Sequence, residues 1–283
     1  MTKQSTNKLA ILDCTLRDGG YYTNWDFDEN LVDNYLSAMN ELPIDIIEIG
    51  YKSPAKDNYA GGHFYLPNFV IERIKNQTKK DLAIILNEKD VRAHEAEVLL
   101  TPCIDKIKLI RLAVAPQNFL RGIELAEEVK KLGFQVAFNL MYASKWDANF
   151  PEQQQLELLN KNCNYFYVVD SYGGLFPQDI KNIFKYLKSE LTIPLGFHSH
   201  NNLEMALANT LEAINCGVNI IDTTIDGMGR GAGNLKLELL LSVLYQRGKL
   251  EVDFDILNKI VESFLKLKLE YKWGTNLAYM VSG

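Results

Sequence analysis

Short apolar runs alternate along the chain with segments in which apolar residues recur every three or four positions. The first pattern predicts β-strands, and the second predicts amphipathic helices. Most of the runs are nearly continuous, which indicates strands that are covered on both faces, as in a parallel sheet. The predicted strands cover residues 9–13, 44–50, 82–86, 106–112, 134–140, 165–170, 194–200 and 219–225.

The regular order of strand and helix predicts parallel strands joined by helical crossovers. Eight such units in about 250 residues fit a closed barrel better than an open sheet. An open dinucleotide-binding sheet usually carries GxGxxG after its first strand, whereas this chain reads CTLRDGGYY there. The sequence therefore predicts an α/β protein built as a (β/α)8 TIM barrel.

The last part of the chain falls outside the eight repeats. We expect residues 1–250 to form the catalytic barrel and residues 251–283 to form a C-terminal helical extension. The segment FDILNKIVESFLKLKLEYKWG predicts one additional helix in that extension. The apolar end NLAYMVSG fits either a truncated extension or a C-terminus that docks on the barrel.

Composition places the chain among ordinary globular proteins and narrows its partners. Its 283 residues are 47% hydrophobic and 23% charged, which is enough to bury a substantial core. The net charge of −6 is spread over the whole length without a large basic cluster, which argues against nucleic acid as a partner. These features leave a homo-oligomer open.

Cysteine use and hydropathy indicate the compartment. The four cysteines have no CxxC or other metal-like spacing, and three of them lie in or beside apolar runs. We expect them to be reduced and mostly buried thiols. No apolar stretch approaches the roughly 20 residues of a membrane helix, and the N-terminus lacks the hydrophobic core of a signal peptide. The sequence therefore predicts a cytoplasmic protein without a membrane partner.

In a (β/α)8 barrel the chemistry lies at the C-terminal ends of the strands, so polar residues there are candidates for function. The first strand leads into RDGG at residues 17–20, which is either a solvated turn or part of a site. The seventh strand ends in His198 and His200, whose spacing directs both imidazoles to the same side. Two converging imidazoles are hard to bury unless they share a cation, so they indicate a metal site.

Two further strand ends carry polar motifs. The sixth strand ends in Asp170 and Ser171, which either belong to a turn with a helix cap or contact a carboxylate or hydroxyl of a substrate. The eighth strand is followed by DGMGRGAGN at residues 226–234, where the glycines fit either a backbone that passes close to a ligand or a flexible loop. Asn234 is either the cap of the next helix or an oxygen ligand.

The barrel topology allows residues from the first and seventh strand ends to meet across the mouth. Asp18, His198 and His200 can then form a site with two histidines, one carboxylate and open coordination positions. Such a site binds a divalent ion and leaves room for a chelating substrate.

At these residues the chain resembles the DRE-TIM metallolyases, the HMGL-like family that contains HMG-CoA lyase, isopropylmalate and citramalate synthases, and 4-hydroxy-2-oxovalerate aldolase. The resemblance covers the whole barrel, and it is strongest to the aldolase branch. The motifs that carry it are LDCTLRDGG, DSYGGLFP and the long segment GFHSHNNLEMALANTLEAINCGVNIIDTTIDGMGRGAGN.

The resemblance implies roles for single residues. It makes Asp18, His198 and His200 metal ligands, and it makes Asn234 a further ligand, as in the branches that use acyl-CoA. The implied ion is manganese, magnesium, zinc or cobalt, and the mixed imidazole and oxygen ligands do not choose among them. Two other implied contacts complete the site, with Arg17 stabilising the developing enolate oxygen and Ser171 binding the carboxylate of a 2-oxo acid.

The chain departs from the aldolase pattern at Tyr21, three residues after Asp18, where the aldolase has a histidine that shuttles a proton. A phenol with a pKa near 10 is a poorer base at neutral pH, unless the metal or Arg17 lowers its pKa. We expect Tyr21 or a metal-bound water to move the proton, with His63 as an alternative. The aldolases also carry a longer C-terminal helical region that contacts a partner dehydrogenase. This chain ends shortly after the extra helix, so no dehydrogenase partner is inferred.

The residues and the resemblance together predict a divalent-metal-dependent aldolase or lyase that acts through the metal-bound enolate of a 2-oxo acid such as pyruvate. Two alternatives stay open: an acyl-CoA-dependent Claisen synthase or lyase of the same family, and a non-catalytic metal-containing barrel that binds a small acid or a protein partner. A Schiff-base aldolase would depend on Lys106 or Lys108 of the predicted fourth strand, because the sixth strand has no lysine.

Overall fold

The computed structural model describes residues 9–283, in which eight parallel strands close into a barrel in sequence order. The barrel closes where β1 pairs with β8, with Ile11 beside Ile221. The predicted (β/α)8 fold is therefore confirmed. The strands are β1 (Ala10–Asp13), β2 (Ile46–Tyr51), β3 (Asp81–Asn87), β4 (Leu109–Val114), β5 (Gln135–Leu140), β6 (Tyr165–Asp170), β7 (Leu195–Ser199) and β8 (Ile220–Thr223).

Helices cover the outside of this barrel, because strand residues point alternately outward to the helices and inward to the lumen. On β4, Ile110 and Leu112 join the outer core, whereas Leu109 packs inside with Leu12 and Tyr167. The helices are α1 (Thr15–Asp18), α2 (Gly20–Thr23), α3 (Glu29–Glu41), α4 (Gly62–Tyr65), α5 (Asn68–Gln77), α6 (Ala96–Leu100), α7 (Phe119–Lys131), α8 (Gln153–Asn162), α9 (Pro177–Glu190), α10 (Ala206–Asn215), α11 (Leu237–Gln246), α12 (Phe254–Tyr271) and α13 (Leu277–Ser282).

The predicted strands agree with the observed ones to within three residues at each end, and the largest shift is at β4. The amide of Lys106 donates to the carbonyl of Cys103, which makes a turn before the strand begins. Lys106 pairs with Glu72 and Lys108 pairs with Asp81, at the N-terminal end of the barrel. The prediction that these lysines stand on the fourth strand is wrong, and they lie at the opposite end of the barrel from the other candidate residues.

The C-terminal extension reaches the end of the barrel where the strands finish. Phe264 of α12 packs against Tyr35 of α3, with ring centroids 6.3 Å apart. Beyond α12, the indole nitrogen of Trp273 donates to the carbonyl of Asp226 at 2.9 Å. The side chain of Asn202 donates to the carbonyl of Tyr279 in α13 at 3.0 Å. The additional helix is confirmed, whereas the division of the chain at residue 250 stays a prediction.

Across residues 9–283, no helix combines the length and the apolar character that crossing a bilayer requires. The cytoplasmic location stays a prediction.

Candidate functional site

The RDGG motif begins in α1, immediately after β1, and it lies inside the barrel mouth. Arg17 is 7% exposed and Asp18 is 1% exposed, so the motif is not a solvated turn. The indole of Trp25 packs directly on the backbone of Gly20, where a Cβ atom would lie 2.0 Å from the ring. Glycine is therefore required there by close packing, and the same indole donates to the carbonyl of Arg17 at 2.7 Å.

Asp18, His198 and His200 converge at the rim of the barrel. Nε2 of His198 lies 3.6 Å from Oδ2 of Asp18, and the centroids of the two imidazole rings are 5.1 Å apart. One potential ligand atom from each of the three residues lies within 4.8 Å of the other two, and all three residues are buried. These groups are close enough to share one divalent ion.

The ionisation of these side chains suits a cation. Burial and then the neighbouring His198 lower the pKa of His200 to about 3, so its imidazole is neutral at pH 7 and keeps a free lone pair. Burial alone would raise the pKa of Asp18, but the charge of Arg17 holds it well below its ordinary value. The site therefore presents a carboxylate and a neutral imidazole at neutral pH, as metal binding requires.

Asn234 brings an amide to the same point from the glycine-rich loop after β8. Its Nδ2 donates to Oδ2 of Asp18, and its Oδ1 is buried without a hydrogen-bond partner in the described part of the chain. The loop runs so close to the site that a Cβ on Gly229 would lie 2.4 Å from Nδ2 of Asn234. Asn234 does not cap the next helix, because α11 begins only at Leu237. A buried amide oxygen beside a carboxylate fits a divalent cation.

Arg17 holds Asp18 in place and is itself held by Glu48. Nη1 of Arg17 donates to Oδ1 of Asp18 at 2.6 Å, and Nε of Arg17 donates to Oε2 of Glu48 at 2.7 Å. Burial lowers the pKa of Arg17, but Asp18 and Glu48 outweigh burial and raise it, so the guanidinium keeps its charge. Sequence reasoning missed Glu48.

A second ion pair, between Asp222 and Arg111, supports His198 from the lumen. Sequence reasoning missed both of these residues as well. Asp222 of β8 lies 2.8 Å from Nδ1 of His198 and also pairs with Arg111 of β4. Arg111 reaches Glu48 at 3.1 Å and stacks on the ring of Tyr167. The signal was present in the sequence, since Glu48, Arg111 and Asp222 each directly follow two apolar residues within a predicted strand, and charges buried in a strand are stable only when they are paired.

Tyr21 and His63, the two residues expected to move a proton, are placed differently. Tyr21 is 44% exposed and lines the cavity above the site, where its hydroxyl lies 3.1 Å from that of Tyr51. The ring of His63 is buried edge-on against Phe27, and its Nδ1 lies 2.7 Å from the carbonyl of Ile49. His63 does not line the cavity, so this geometry does not support it as the proton carrier.

The two polar residues after β6 also separate. Ser171 lines the cavity, and its Oγ accepts a hydrogen bond from the amide of Tyr142 at 2.9 Å. Asp170 is fully buried and accepts the amides of Gly174 and Leu175, each at 3.2 Å. Burial raises the pKa of Asp170 to about 6. This geometry makes Asp170 the anchor of the loop after β6, and it does not support the expected substrate contact.

A cavity of about 430 Å³ opens above the candidate metal centre. Sequence reasoning missed Arg230, which lines this cavity and donates to the carbonyl of Ser171 at 3.1 Å. The cavity is therefore large enough for a small acid and carries positive charge beside the cluster. Its lining includes Arg17, Asp18, Tyr21, Tyr51, Ile85, Ala113, Asn139, Met141, Tyr142, Val169, Ser171, His198, His200 and Arg230.

Comparison with known proteins gives related sequences over nearly the whole chain. The family model described as HMGL-like matches residues 8–264. A 4-hydroxy-2-oxovalerate aldolase of Bacillus thuringiensis is 28% identical, over 97% of this chain and 82% of its own. An oxaloacetate decarboxylase of Mycobacterium tuberculosis is also 28% identical, over 87% of this chain and 73% of its own.

Solved structures share the fold. The N-terminal domain of a Bacteroides vulgatus protein described as a candidate aldolase is 48% identical, with a TM-score of 0.94 over 97% of this chain and 92% of that one. The carboxyl transferase domain of Rhizobium etli pyruvate carboxylase has a TM-score of 0.79 at 15% identity, over 97% of this chain and 52% of that one. At that identity the second likeness concerns the fold alone.

Proposed function

The chain belongs to the HMGL-like family and is a lyase, and from this premise we propose that it is a divalent-metal-dependent aldolase that cleaves or forms a 4-hydroxy-2-oxo acid through the enolate of pyruvate. The observation that carries the proposal is the convergence of Asp18, His198 and His200 on one buried point. The side-chain oxygen of Asn234 lies beside that point and has no hydrogen-bond partner among residues 9–283. The relatives named 4-hydroxy-2-oxovalerate aldolase support a small 2-oxo acid as substrate.

Asp18, His198 and His200 would hold the ion, and Asn234 would offer a further oxygen. A divalent cation held there would supply Lewis acidity, which draws electron density from the 2-oxo group. The mixed nitrogen and oxygen donors are compatible with manganese, magnesium, zinc or cobalt.

Arg17 would stabilise the negative charge that develops on the enolate oxygen. Its guanidinium is held by Asp18 at 2.6 Å and by Glu48 at 2.7 Å, so it needs no rearrangement when the charge appears. A charge that is already oriented in a buried site stabilises a transition state more than the same charge in water does.

Ser171 and Arg230 would bind the carboxylate of the 2-oxo acid. The Oγ of Ser171 accepts the amide of Tyr142, which leaves the hydroxyl proton available for donation to a ligand. Arg230 lines the same cavity and uses Nη2 for the carbonyl of Ser171. Its other guanidinium N–H groups can donate to a carboxylate.

Cleavage requires the C4 hydroxyl to lose a proton and the enolate carbon to gain one. We assign both transfers to Tyr21, which would take the proton of the C4 hydroxyl as it gives its own proton to the enolate carbon. The Tyr21 hydroxyl lies at the cavity wall beside that of Tyr51. Burial raises the pKa of Tyr51 well above its ordinary value, so this partner stays protonated and can hydrogen-bond with the Tyr21 hydroxyl.

Decarboxylation of oxaloacetate is a second candidate reaction, which the name of the Mycobacterium tuberculosis relative favours. Loss of carbon dioxide from oxaloacetate leaves the same pyruvate enolate as retro-aldol cleavage. In both reactions Arg17 would stabilise this enolate and Tyr21 would protonate it, and only the aldol cleavage would also require removal of the proton of the C4 hydroxyl.

Proton exchange tests the part of the chemistry that both reactions share. The protein is mixed with pyruvate and Mn²⁺ in heavy water, and the methyl protons of pyruvate are followed by NMR. We expect them to exchange with deuterium in a metal-dependent way. If no exchange occurs with manganese, magnesium, zinc or cobalt, the proposal is wrong.

A screen then separates the rival functions. Release of pyruvate from a 4-hydroxy-2-oxo acid supports the aldolase, and its release from oxaloacetate alone supports the decarboxylase. Product formation with acetyl-CoA would instead support the Claisen-type alternative. Bound metal without turnover or proton exchange of any 2-oxo acid would support a non-catalytic barrel.

A further inference from the structure

One buried amide in the cavity has an oxygen that no described residue satisfies. Asn139 lies on β5 and is 3% exposed, yet its Oδ1 has no hydrogen-bond partner within residues 9–283. Ala113 lies beside Asn139 in the barrel register, and it lines the same cavity. Buried amide oxygens are normally paired, so an unpaired one in a ligand-sized cavity points to a ligand.

The position of Asn139 indicates which part of a ligand it meets. In an eight-stranded barrel β5 lies four strands from β1 in either direction, so Asn139 is across the mouth from α1, which follows β1 and carries Asp18. In the proposed function the keto oxygen lies at the Asp18 side and the carboxylate lies at Ser171 and Arg230. C3 and C4 then extend along the remaining wall of the cavity, which β3 to β5 form. Ile85, Ala113 and Met141 make part of that wall apolar.

We propose that Asn139 binds the C4 hydroxyl group of the substrate and thereby selects 4-hydroxy-2-oxo acids over acids that lack this group. This inference rests on the proposed function. The amide oxygen accepts a hydrogen bond from the C4 hydroxyl and so orients the bond between C3 and C4 for cleavage. Because an amide is not a base, Asn139 positions the C4 oxygen before the reaction. The O–H bond then turns from the amide oxygen to Tyr21, which takes the proton when the carbon–carbon bond breaks.

The main rival is a carboxylate at C4, as in oxaloacetate, which would accept a hydrogen bond from the amide nitrogen of Asn139. A hydroxyl at C4 requires a hydrogen-bond acceptor at residue 139, whereas a carboxylate at C4 requires a hydrogen-bond donor there. An aspartate in its place still accepts a bond from a hydroxyl, whereas it repels a carboxylate. The Asn139→Asp variant therefore distinguishes the two ligands.

Binding of ligands that cannot be cleaved tests the proposal without relying on turnover. Calorimetry on the Mn²⁺-loaded protein compares 2,4-dihydroxypentanoate with 2-hydroxypentanoate, which differ only in the C4 hydroxyl. We expect the wild type to bind the first about tenfold more tightly, the usual value of one hydrogen bond. Asn139→Ala should lose this preference, and Asn139→Asp should keep it.

Oxalate and a second asparagine serve as controls. Oxalate has no C4 group, so its affinity should be the same in the wild type and in both variants, which also shows that they fold. Asn87→Ala removes another cavity amide, whose oxygen already accepts the amide of Lys89, and it should keep the preference for the hydroxyl.

Three outcomes would overturn the assignment. The first is an Asn139→Ala variant that still prefers 2,4-dihydroxypentanoate, and the second is a wild type without that preference. The third is a wild type that binds malate more tightly than 2,4-dihydroxypentanoate, together with at least a tenfold loss of malate affinity in Asn139→Asp. If oxalate does not bind the metal-loaded wild type, the failure belongs to the proposed function and overturns the inference that rests on it.

Discussion

Nδ1 of His198 lies 2.8 Å from Oδ2 of Asp222, while Nε2 of the same ring faces Asp18 at 3.6 Å. Burial alone would raise the pKa of Asp222, but Arg111 holds it below its ordinary value, so the group is a carboxylate. A carboxylate on one ring nitrogen sets the tautomer and leaves the lone pair of the other nitrogen free for a cation.

The first prediction concerns the contact by which Asp222 fixes the tautomer of His198. Asp222→Asn should lower the affinity for a divalent ion about 10- to 100-fold, because the amide no longer selects the donor tautomer at Nδ1. Titration with Mn²⁺ followed by electron paramagnetic resonance measures the change. Asp81→Asn, which removes a carboxylate paired with Lys108 at the other end of the barrel, should bind Mn²⁺ like the wild type. Equal affinities in Asp222→Asn and the wild type would contradict the prediction.

The second prediction concerns His200, one of the proposed metal ligands. His200→Ala should reduce bound metal below one equivalent and slow pyruvate proton exchange at least about 100-fold, because a neutral imidazole is removed from the cluster. Metal analysis and NMR measure the two effects. His94→Ala is the matched control, since that histidine is exposed and lies outside the cavity. Full metal content in His200→Ala would show that the ion binds elsewhere.

The third prediction concerns Arg17, which reaches Asp18 and Glu48 through two different nitrogens. A lysine has one nitrogen and cannot hold both contacts in the same geometry. Arg17→Lys should therefore lower kcat about 100- to 1000-fold with a smaller change in KM. Arg73→Lys, at a surface arginine that also contacts two carboxylates, should have near-normal kinetics. A change confined to KM would argue against a role for Arg17 in the transition state.

The fourth prediction concerns proton transfer by Tyr21. Tyr21→Phe should slow methyl exchange of pyruvate about 100-fold or more, because the ring stays and the hydroxyl is lost. Tyr21→His should retain exchange near pH 7, since imidazole transfers protons efficiently there. Metal affinity and oxalate binding should be unchanged in both variants. Wild-type exchange rates in Tyr21→Phe would assign the step to another group.

The fifth prediction concerns stability and pH. Burial raises the pKa of Asp13 from 3.8 to about 6, and hydrogen bonds from Tyr35 and Thr15 lower it by less. Between these two pH values the native state binds a proton that the unfolded state does not, so this carboxyl makes the free energy of unfolding fall as the pH rises. The loss should be about 2 kcal/mol between about pH 4 and pH 7.

Asp13→Asn isolates that effect. The hydroxyl of Tyr35 and the amide of Thr15 both donate to Oδ1 of Asp13, so an asparagine can keep both bonds. Urea unfolding of both proteins at the two pH values cancels the other titrating groups. The wild type should lose about 2 kcal/mol relative to Asp13→Asn as the pH rises, and parallel pH profiles would contradict the assigned pKa.

Much of the fold could be predicted because its signals are local. Each strand is a short apolar run bounded by polar residues, so β6 was located to the residue and β7 to within one residue at each end. The β4 boundary was missed because Ile107 continues the apolar pattern, although the turn at Cys103 ends only after it. Periodicity alone does not distinguish an apolar turn residue from a strand residue.

The candidate site divided in the same way. Asp18, His198 and His200 lie near the C-terminal ends of strands or soon after them, so the barrel topology was enough to group them. Aspartate and histidine are common catalytic residue types, but here Asp170 binds backbone amides of the loop after β6 and His63 contacts a backbone carbonyl in the core. The direction of a side chain depends on local backbone geometry that a single sequence does not specify.

The eight strand–helix units, the motifs that carry the proposed metal ligands and the family could all be inferred from the amino-acid sequence alone. The folded chain was needed to show that Glu48, Arg111 and Asp222 form one ion-paired layer beneath these side chains. It was also needed to show that Asn139 lines the cavity and that its Oδ1 has no hydrogen-bond partner in the described part of the chain. The physical reason is that hydrophobic patterning acts along each segment. The pairing of buried charges depends instead on which inward positions of different strands lie at the same level, and barrel closure sets that level.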